Sequence, residues 1–240
     1  MPRFFTETID ETKGLICGDD AKHIFKVLRM GPGDELTACD TKGRDYDCII
    51  DTVSDSEISL TVRSVEPSKT EPSVKVTLYQ AMPKSDKMEL IIQKAVELGV
   101  STIVPVQTRR CVSRPDAKSM KKKLERYNRI ALEAAKQCGR GMIPQVLPML
   151  DYAEAVEEMA KDQQAILFYE NSTSSFRETL KNTRESLSVM VGAEGGFAED
   201  EVELAQSRGI PSISLGSRIL RCETAPLAAM AVIMYETGNL

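Results

Sequence analysis

The sequence predicts an α/β protein in two parts, a mostly parallel sheet with helices on both faces preceded by a small β-barrel. Three observations carry this. From Val74 onward, short apolar strand patterns alternate with helical patterns, the rhythm of a parallel sheet built by crossovers. Before about residue 68 the chain reads mostly as short strands divided by Gly, Asp and Ser turns. Between them "EPSKTEPS", Glu66 to Ser73, has two prolines and no apolar residue, which places a boundary there. The expected domains are therefore 1–68 and 74–240.

In the first part the strands are "LIC", "DELTACD", "DYDCIIDTV" and "ISLTVRSVE". One helix interrupts them. In "DDAKHIFKVLRM", Ala21, Ile24, Phe25 and Leu28 stand at i, i+3, i+4 and i+7, and "GPGD" ends the pattern. The second part opens with the strand "VKVTLYQAM". A helix follows in "SDKMELIIQKAVELG", with Met88, Ile91, Ile92 and Ala95 on one face, Ser85 or Asp86 as cap and Gly99 at its end. After the strand "STIVPVQT" comes a long helix over 118–138. Met120, Leu124, Tyr127, Ala131, Ala134 and Cys138 form its seam, beside a mainly basic ridge of Lys122, Arg126, Arg129, Glu133, Lys136 and Arg140. "QAILFY", "LSVMVG" and "PSISLG" are the remaining strands, each followed by a helical pattern.

Composition narrows the function. With 240 residues, 42% hydrophobic, the chain is long enough for substantial cores. No run approaches the roughly 18 apolar residues of a membrane span, and the first residues lack the basic-then-apolar pattern of a leader, so a cytoplasmic protein is expected. Six cysteines without C-x-x-C pairs and a single histidine, His23, predict no metal site. The net charge of −5 is unevenly spread. Eleven Lys and Arg face three Asp and Glu over Arg109–Arg140, whereas four face twelve over Asp151–Glu201. That asymmetry suits a protein that meets a polyanion with one face.

Ligands of open parallel sheets collect at the carboxyl ends of the strands, so the loops there are the candidate site. "VGAEGGF", Val191 to Phe197, brings three glycines and Glu194 after a strand, but neither G-x-x-x-x-G-K-[ST] nor G-x-G-x-x-G. A carboxylate there is wrong for cradling phosphate and suits ribose hydroxyls or a cationic ligand. "SLGSRILRCETAPLAAMAV", Ser214 to Val232, starts a helix with Thr224 as an N-cap and Pro226 in the first turn. That explains "TAP" and leaves "GSRILRCE" without a structural purpose. The two loops follow strands separated by one helix and are expected to share a pocket.

These two stretches, with "HIFKVLRMGPGD", "KMELIIQKAVELGVSTIVPVQTRRC" and "EAAKQCGRGMIPQV" in the same order and approximate spacing, resemble the bacterial ribosomal RNA uridine N3-methyltransferases of the knotted SPOUT class. The resemblance covers nearly the whole chain. It implies a PUA-like RNA-binding barrel, a SPOUT sheet whose chain end forms a deep trefoil knot, a homodimer, and S-adenosylmethionine as cofactor. By the same resemblance Leu167, Gly192, Glu194, Gly195, Leu215, Gly216, Leu220, Cys222, Thr224 and Ala225 are cofactor-binding. The family commonly has proline where this chain has Ala193, so the first loop loses a fixed φ. The last helix, apolar nearly all round through Leu227, Met230, Ala231, Ile233, Met234 and Tyr235, fits a dimer.

N3 of uracil is protonated at neutral pH, so its methylation needs a group that favours loss of the proton. Arg221 is the candidate to stabilise charge on a uracil carbonyl. Glu223 is the candidate to accept the proton or orient Arg221. Phosphate contacts are expected from Arg3, His23, Arg29, Arg109, Arg110, Arg126, Arg129 and Arg140, with ribosomal RNA, within the small subunit, as partner. A non-catalytic RNA-binding protein and a knotted ribose 2′-O-methyltransferase are the rival readings.

Overall fold

The computed structural model describes residues 1–174, 176–180 and 185–240. It divides into two compact units, Met1–Glu71 with Ala135–Ile143, and Pro72–Ala134 with Pro144–Leu240.

The first unit is a curled sheet of five strands: β1 (Arg3–Phe5), β2 (Lys13–Cys17), β3 (Glu35–Cys39), β4 (Arg44–Val53) and β5 (Glu57–Pro67), in the order β1-β3-β4-β5-β2. β1 runs parallel to β3, and the other pairs are antiparallel. Alternation sends Leu36, Ala38, Tyr46, Cys48, Ile50, Ile58 and Leu60 to one side, where they form the core with Phe4 and Ile16. Register shifts at Asp47/Cys48 and Ile50/Thr52 mark the bulges that bend β4. The curl closes on itself where Leu15 N–H donates to Thr8 O (2.8 Å) and Thr6 Oγ1 to Leu15 O (2.5 Å).

The predicted first helix forms, with a different winding. Only α1 (Asp19–Lys22) is α-helical, and His23–Leu28 continue as a π-helical segment. The wider turn takes the expected apolar stripe apart. Ala21 and Ile24 are buried, while Phe25 and Leu28 are 42% and 40% exposed. Arg29 ends the segment in the left-handed region at φ 53.

The second unit is a wholly parallel sheet. Its strands are β6 (Lys75–Ala81), β7 (Thr102–Gln107), β8 (Gln145–Val146), β9 (Leu150–Asp151), β10 (Ala165–Phe168), β11 (Ser186–Val191) and β12 (Ser212–Ile213). They run in the order β12-β10-β11-β6-β7-β8, with β9 also on β7. Pro105 stands inside β7 where that outer neighbour is interrupted: β8 pairs with Thr102 and Ile103, β9 with Val106 and Gln107. The strands are near-continuous apolar runs because helices cover them. The helices are α2 (Lys87–Glu97), α3 (Ala117–Cys138), α4 (Tyr152–Met159), α5 (Phe176–Leu180), α6 (Glu199–Ser207) and α7 (Thr224–Glu236).

α2 buries Met88, Ile91, Ile92 and Ala95, with Asp86 in the cap position. Gly99 follows it at φ +90, with Pro72 Cγ 2.7 Å from where a Cβ would lie, so only glycine fits. α3 buries Met120, Tyr127, Ala131 and Ala134 of its predicted seam. α7 starts one residue earlier than a Thr224 cap requires: Glu223 occupies the cap position and Thr224 is the first helical residue. The sheet's order reverses direction between β6 and β11, and the carboxyl ends of β10, β11 and β12 meet beside that switch.

Candidate active site

A cleft of about 510 Å³ opens at those carboxyl ends, bounded by Phe168 of β10, Val191 of β11 and the loops that follow β11 and β12. Its volume is that of a small-molecule site. The Gly192–Phe197 loop is shaped by contacts that only glycine permits. A Cβ on Gly192 would come 3.1 Å from Gly196 Cα, and one on Gly195 would come 2.9 Å from Arg110 Cβ. Gly196 N–H donates to Ala193 O at 3.0 Å, closing the turn, and Gly196 has φ +61. Phe197 then drops into the core and packs on Tyr152 with ring centroids 5.9 Å apart. From below, buried Gln80 donates through Nε2 to Ala81 O and, at 3.4 Å, to Gly192 O. Its Oε1 is the one buried side-chain polar atom without a partner among the described residues.

The second loop, Ser214–Cys222, is pinned at its start by Ser214 Oγ, which accepts from Gly216 N–H (3.2 Å) and donates to Gly216 O (3.1 Å). Gly216 has φ +112. Ser217, Arg218 and Ile219 project outward, Leu215 and Leu220 are half-buried, and Cys222 is buried. Of the predicted cofactor contacts, Gly192, Glu194, Gly195, Leu215, Gly216, Leu220, Cys222 and Ala225 line the cleft. Leu167 lies one residue before Phe168 inside the core, and Thr224 is exposed at the start of α7, so neither is part of the lining.

One residue that periodicity assigned merely to a helix start joins both loops. Lys87 Nζ lies 3.1 Å from Glu194 Oε1, 3.0 Å from Glu223 Oε2 and 3.6 Å from Cys222 Sγ. Glu194 also accepts from Lys84 N–H at 3.2 and 3.3 Å. The hydrogen bonds to Glu223 and then Glu194 hold the Lys87 ammonium above its ordinary range, so it is a permanent cation. Hydrogen bonds from the Cys222 thiol, its own backbone N–H and Lys87 bring the Glu223 carboxyl down to about 2. Burial, reinforced by Glu223, pushes the Cys222 thiol up to about 12, which leaves it protonated and unreactive. At Glu194 burial works upward, but its own backbone N–H, Lys87 and Lys84 N–H outweigh it and the carboxyl stays below the usual range. No sequence spacing announces this bridge, because Lys87 is over 100 residues away from both of its partners.

Arg221 lines the cleft, exposed, and its side chain makes no hydrogen bond or ion pair among the described residues. Glu223 does not orient it, being turned to Lys87 and Cys222 instead.

The predicted phosphate contacts separate into two groups. Arg140 is corrected: 4% exposed, it pairs with Glu71 at 2.6 Å and is a structural residue of the first unit. Arg3 is likewise occupied by a two-pronged pair with Asp45 at 3.1 and 2.7 Å. The others lie on the surface. His23 opens the π-helical segment and Arg29 ends it, and Arg129 stands exposed on α3. Arg126 pairs with Glu89, Arg109 with Asp200, and Arg110 donates to Gly195 O at 3.1 Å. Among the described residues no cluster of His, Cys, Asp and Glu is suited to a metal, and no helix is long and apolar enough to cross a membrane.

This combination of a curled sheet and a switch-point cleft is matched by known families. Residues 70–234 match the RNA methyltransferase domain and residues 16–63 the RNA methyltransferase PUA domain. The Ribosomal RNA small subunit methyltransferase E of Bacillus subtilis is 35% identical, covering 100% of this chain and 98% of its own. Its namesake in Mycobacterium bovis is 30% identical over 98% of this chain and 92% of its own. A crystal structure of the Neisseria gonorrhoeae Ribosomal RNA small subunit methyltransferase E bound to S-adenosyl methionine superposes with a TM-score of 0.86, at 31% identity over 98% of this chain and 97% of that one. The chain belongs to the RNA methyltransferase family that carries a PUA domain and includes these small-subunit enzymes.

Proposed function

We propose that this protein transfers the methyl group of S-adenosylmethionine to N3 of a uridine in small-subunit ribosomal RNA. The observation that carries the proposal is the cleft, whose walls are the two loops singled out in the sequence. Its chemistry fits the cofactor. It is lined by close-packed glycine backbone, apolar side chains and a few charged groups of both signs, as suits a nucleoside ligand that carries both charges and no phosphate. The relative that binds S-adenosyl methionine shares the fold over nearly its whole length.

When bound, the cofactor supplies a methyl group already activated on a sulfonium. The chain's task is then orientation and management of charge on the uracil. Lys87 ties Glu194 of one loop to Glu223 of the other and so fixes the gap between them. Holding the acceptor nitrogen in line in such a preformed gap supplies several kcal/mol of the barrier. Arg221, a cation of the second loop without a partner among the described residues, is suited to stabilising negative charge on a uracil carbonyl oxygen as N3 loses its proton. Glu223, held near pKa 2, stays ionised and is a weak proton acceptor at neutral pH, so its role is to hold Lys87.

RNA contact is assigned to His23, Arg29, Arg109, Arg110, Arg126 and Arg129, with residues 1–68 reading RNA and 74–240 carrying the knotted catalytic domain. A homodimer is supported by α7, where Tyr235 is 71% exposed and Val232 38% despite an apolar sequence. A cytoplasmic site of action follows from the substrate.

The test is incubation with labelled S-adenosylmethionine and unmodified small ribosomal subunits, followed by digestion and identification of the labelled nucleoside. N3-methyluridine is the expected product. A ribose-methylated nucleoside would replace the assignment with 2′-O-methylation, and absence of both label and cofactor binding would leave an RNA binder. Arg221→Ala is expected to bind cofactor as the unaltered protein does while turnover falls roughly 100-fold, and full activity would remove Arg221 from the mechanism.

A further inference from the structure

The cleft holds one carboxylate that neither the fold nor this reaction scheme uses. Two carboxylates line it, Glu170 and Glu194, and a third, Glu223, follows the lining residue Cys222. Two are engaged, since Lys87 bridges Glu194 and Glu223 and Lys84 N–H adds to Glu194. Glu170, just beyond the carboxyl end of β10, makes no hydrogen bond or ion pair among the described residues. It is nonetheless closely set. A Cβ at Gly196 would come 3.1 Å from Glu170 Oε1 and 3.5 Å from Oε2. The glycine loop therefore leaves room for this carboxylate at its own edge.

We propose that Glu170 is the residue that receives the positive charge of the cofactor, and so sets specificity for a cationic nucleoside ligand. The proposal rests on the methyltransferase reading above. Glu194 was the sequence candidate for a cationic ligand, but Lys87 already supplies its cation. Glu170 is left with an unanswered negative charge in a cleft whose second loop offers the complementary Arg218, exposed and without a partner among the described residues. S-adenosylmethionine carries a sulfonium and an ammonium, together with a carboxylate, and satisfies both kinds of group. A charge-assisted contact of this type is among the stronger ones available to a partly solvated site.

The test is isothermal titration of the full chain and of Glu170→Gln and Glu170→Asp with S-adenosylmethionine and with its demethylated product, which has the ammonium but no sulfonium. Glu170→Gln is expected to raise the Kd for S-adenosylmethionine about tenfold without moving the melting temperature, and Glu170→Asp to keep most of the affinity. A loss confined to S-adenosylmethionine would place the carboxylate at the sulfonium, and an equal loss for the product would place it at the ammonium; both support the proposal. Affinity of Glu170→Gln within twofold of the unaltered protein would overturn it, as would equal weakening of both variants with a lowered melting temperature. If the unaltered chain binds no S-adenosylmethionine, the functional reading itself fails, which is a different result from a Glu170 variant that binds normally.

Discussion

Lys87 is the residue on which the two loops of the cleft depend together. Replacing it with methionine keeps the stem and removes the cation shared by Glu194 and Glu223, so the loops lose their tie. Turnover is expected to fall roughly 10- to 100-fold in single-turnover assays, and Lys87→Arg to recover much of it, since displacement of positioning groups by about 1 Å costs rates of that order. The same bridge has a pH signature. The Glu223 carboxyl is depressed in the folded protein, from an ordinary 4.5 to about 2, so its contribution to stability is complete above pH about 4.5 and is lost as the pH falls toward 2. Melting temperatures measured from pH 6 to 2 should decline through that window, and the decline should shrink in Lys87→Met, where Glu223 titrates nearer its ordinary value. A companion change, Gly196→Ala, puts a side chain at φ +61 and 3.1 Å from Glu170, and is expected to cost about 1–2 kcal/mol by urea denaturation.

Elements of the second unit were legible in the sequence because their signals are local. α2 and α3 bury the faces that their spacing indicates, and β6, β7, β10 and β11 fall where apolar runs lie between turn residues. The elements that escaped are short or held by distant partners. β8 and β9 are two residues each and exist only as neighbours of β7, and β1 is three residues paired to β3 across the chain. The first helix shows how a correct pattern gives a wrong face. Ala21, Ile24, Phe25 and Leu28 fit a 3.6-residue period, yet His23–Leu28 wind as a π-helix and only the first two residues reach the core. Substitution separates the two windings. Ile24→Ala, emptying a fully buried site, is expected to cost about 2–4 kcal/mol, whereas Phe25→Ala, at a side chain 42% exposed, should cost less than about 1 kcal/mol. An α-helical stripe would make both substitutions severe in the same denaturation experiment.

At the scale of the whole molecule, the count of charges along the chain overstated the free positive surface. Of the basic residues between Arg109 and Arg140, Arg109 is paired with Asp200, Arg126 with Glu89, Lys136 with Asp20 and Arg140 with Glu71. All four partners lie outside that stretch, so linear distribution did not disclose the neutralisation. The last two pairs show what the return of the chain over Ala135–Ile143 does for the first unit. Glu71 accepts from Arg140 Nη2 at 2.6 Å and Nε at 3.3 Å, and from the backbone N–H groups of Gly141 and Met142 at 2.8 and 3.0 Å. Thr70 Oγ1 donates to Gly139 O at 2.9 Å, and Lys136 reaches Asp20 at 2.8 Å. The proline-rich boundary read near residues 66–73 is thus one of three crossings, and the unit is completed by nine residues that begin in the last turn of α3. Arg140→Met would leave Glu71 as a nearly buried carboxylate without its ion partner, which is expected to cost about 3 kcal/mol. Because Arg140 faces Glu71 and not solvent, the variant should also keep the salt dependence of RNA binding unchanged, whereas Arg129→Ala, if Arg129 touches phosphate, should lower the slope by about one. Measuring both quantities on the two variants distinguishes an arginine that closes the fold from one that meets RNA; an Arg140→Met protein of full stability with a reduced salt slope would reverse the assignment.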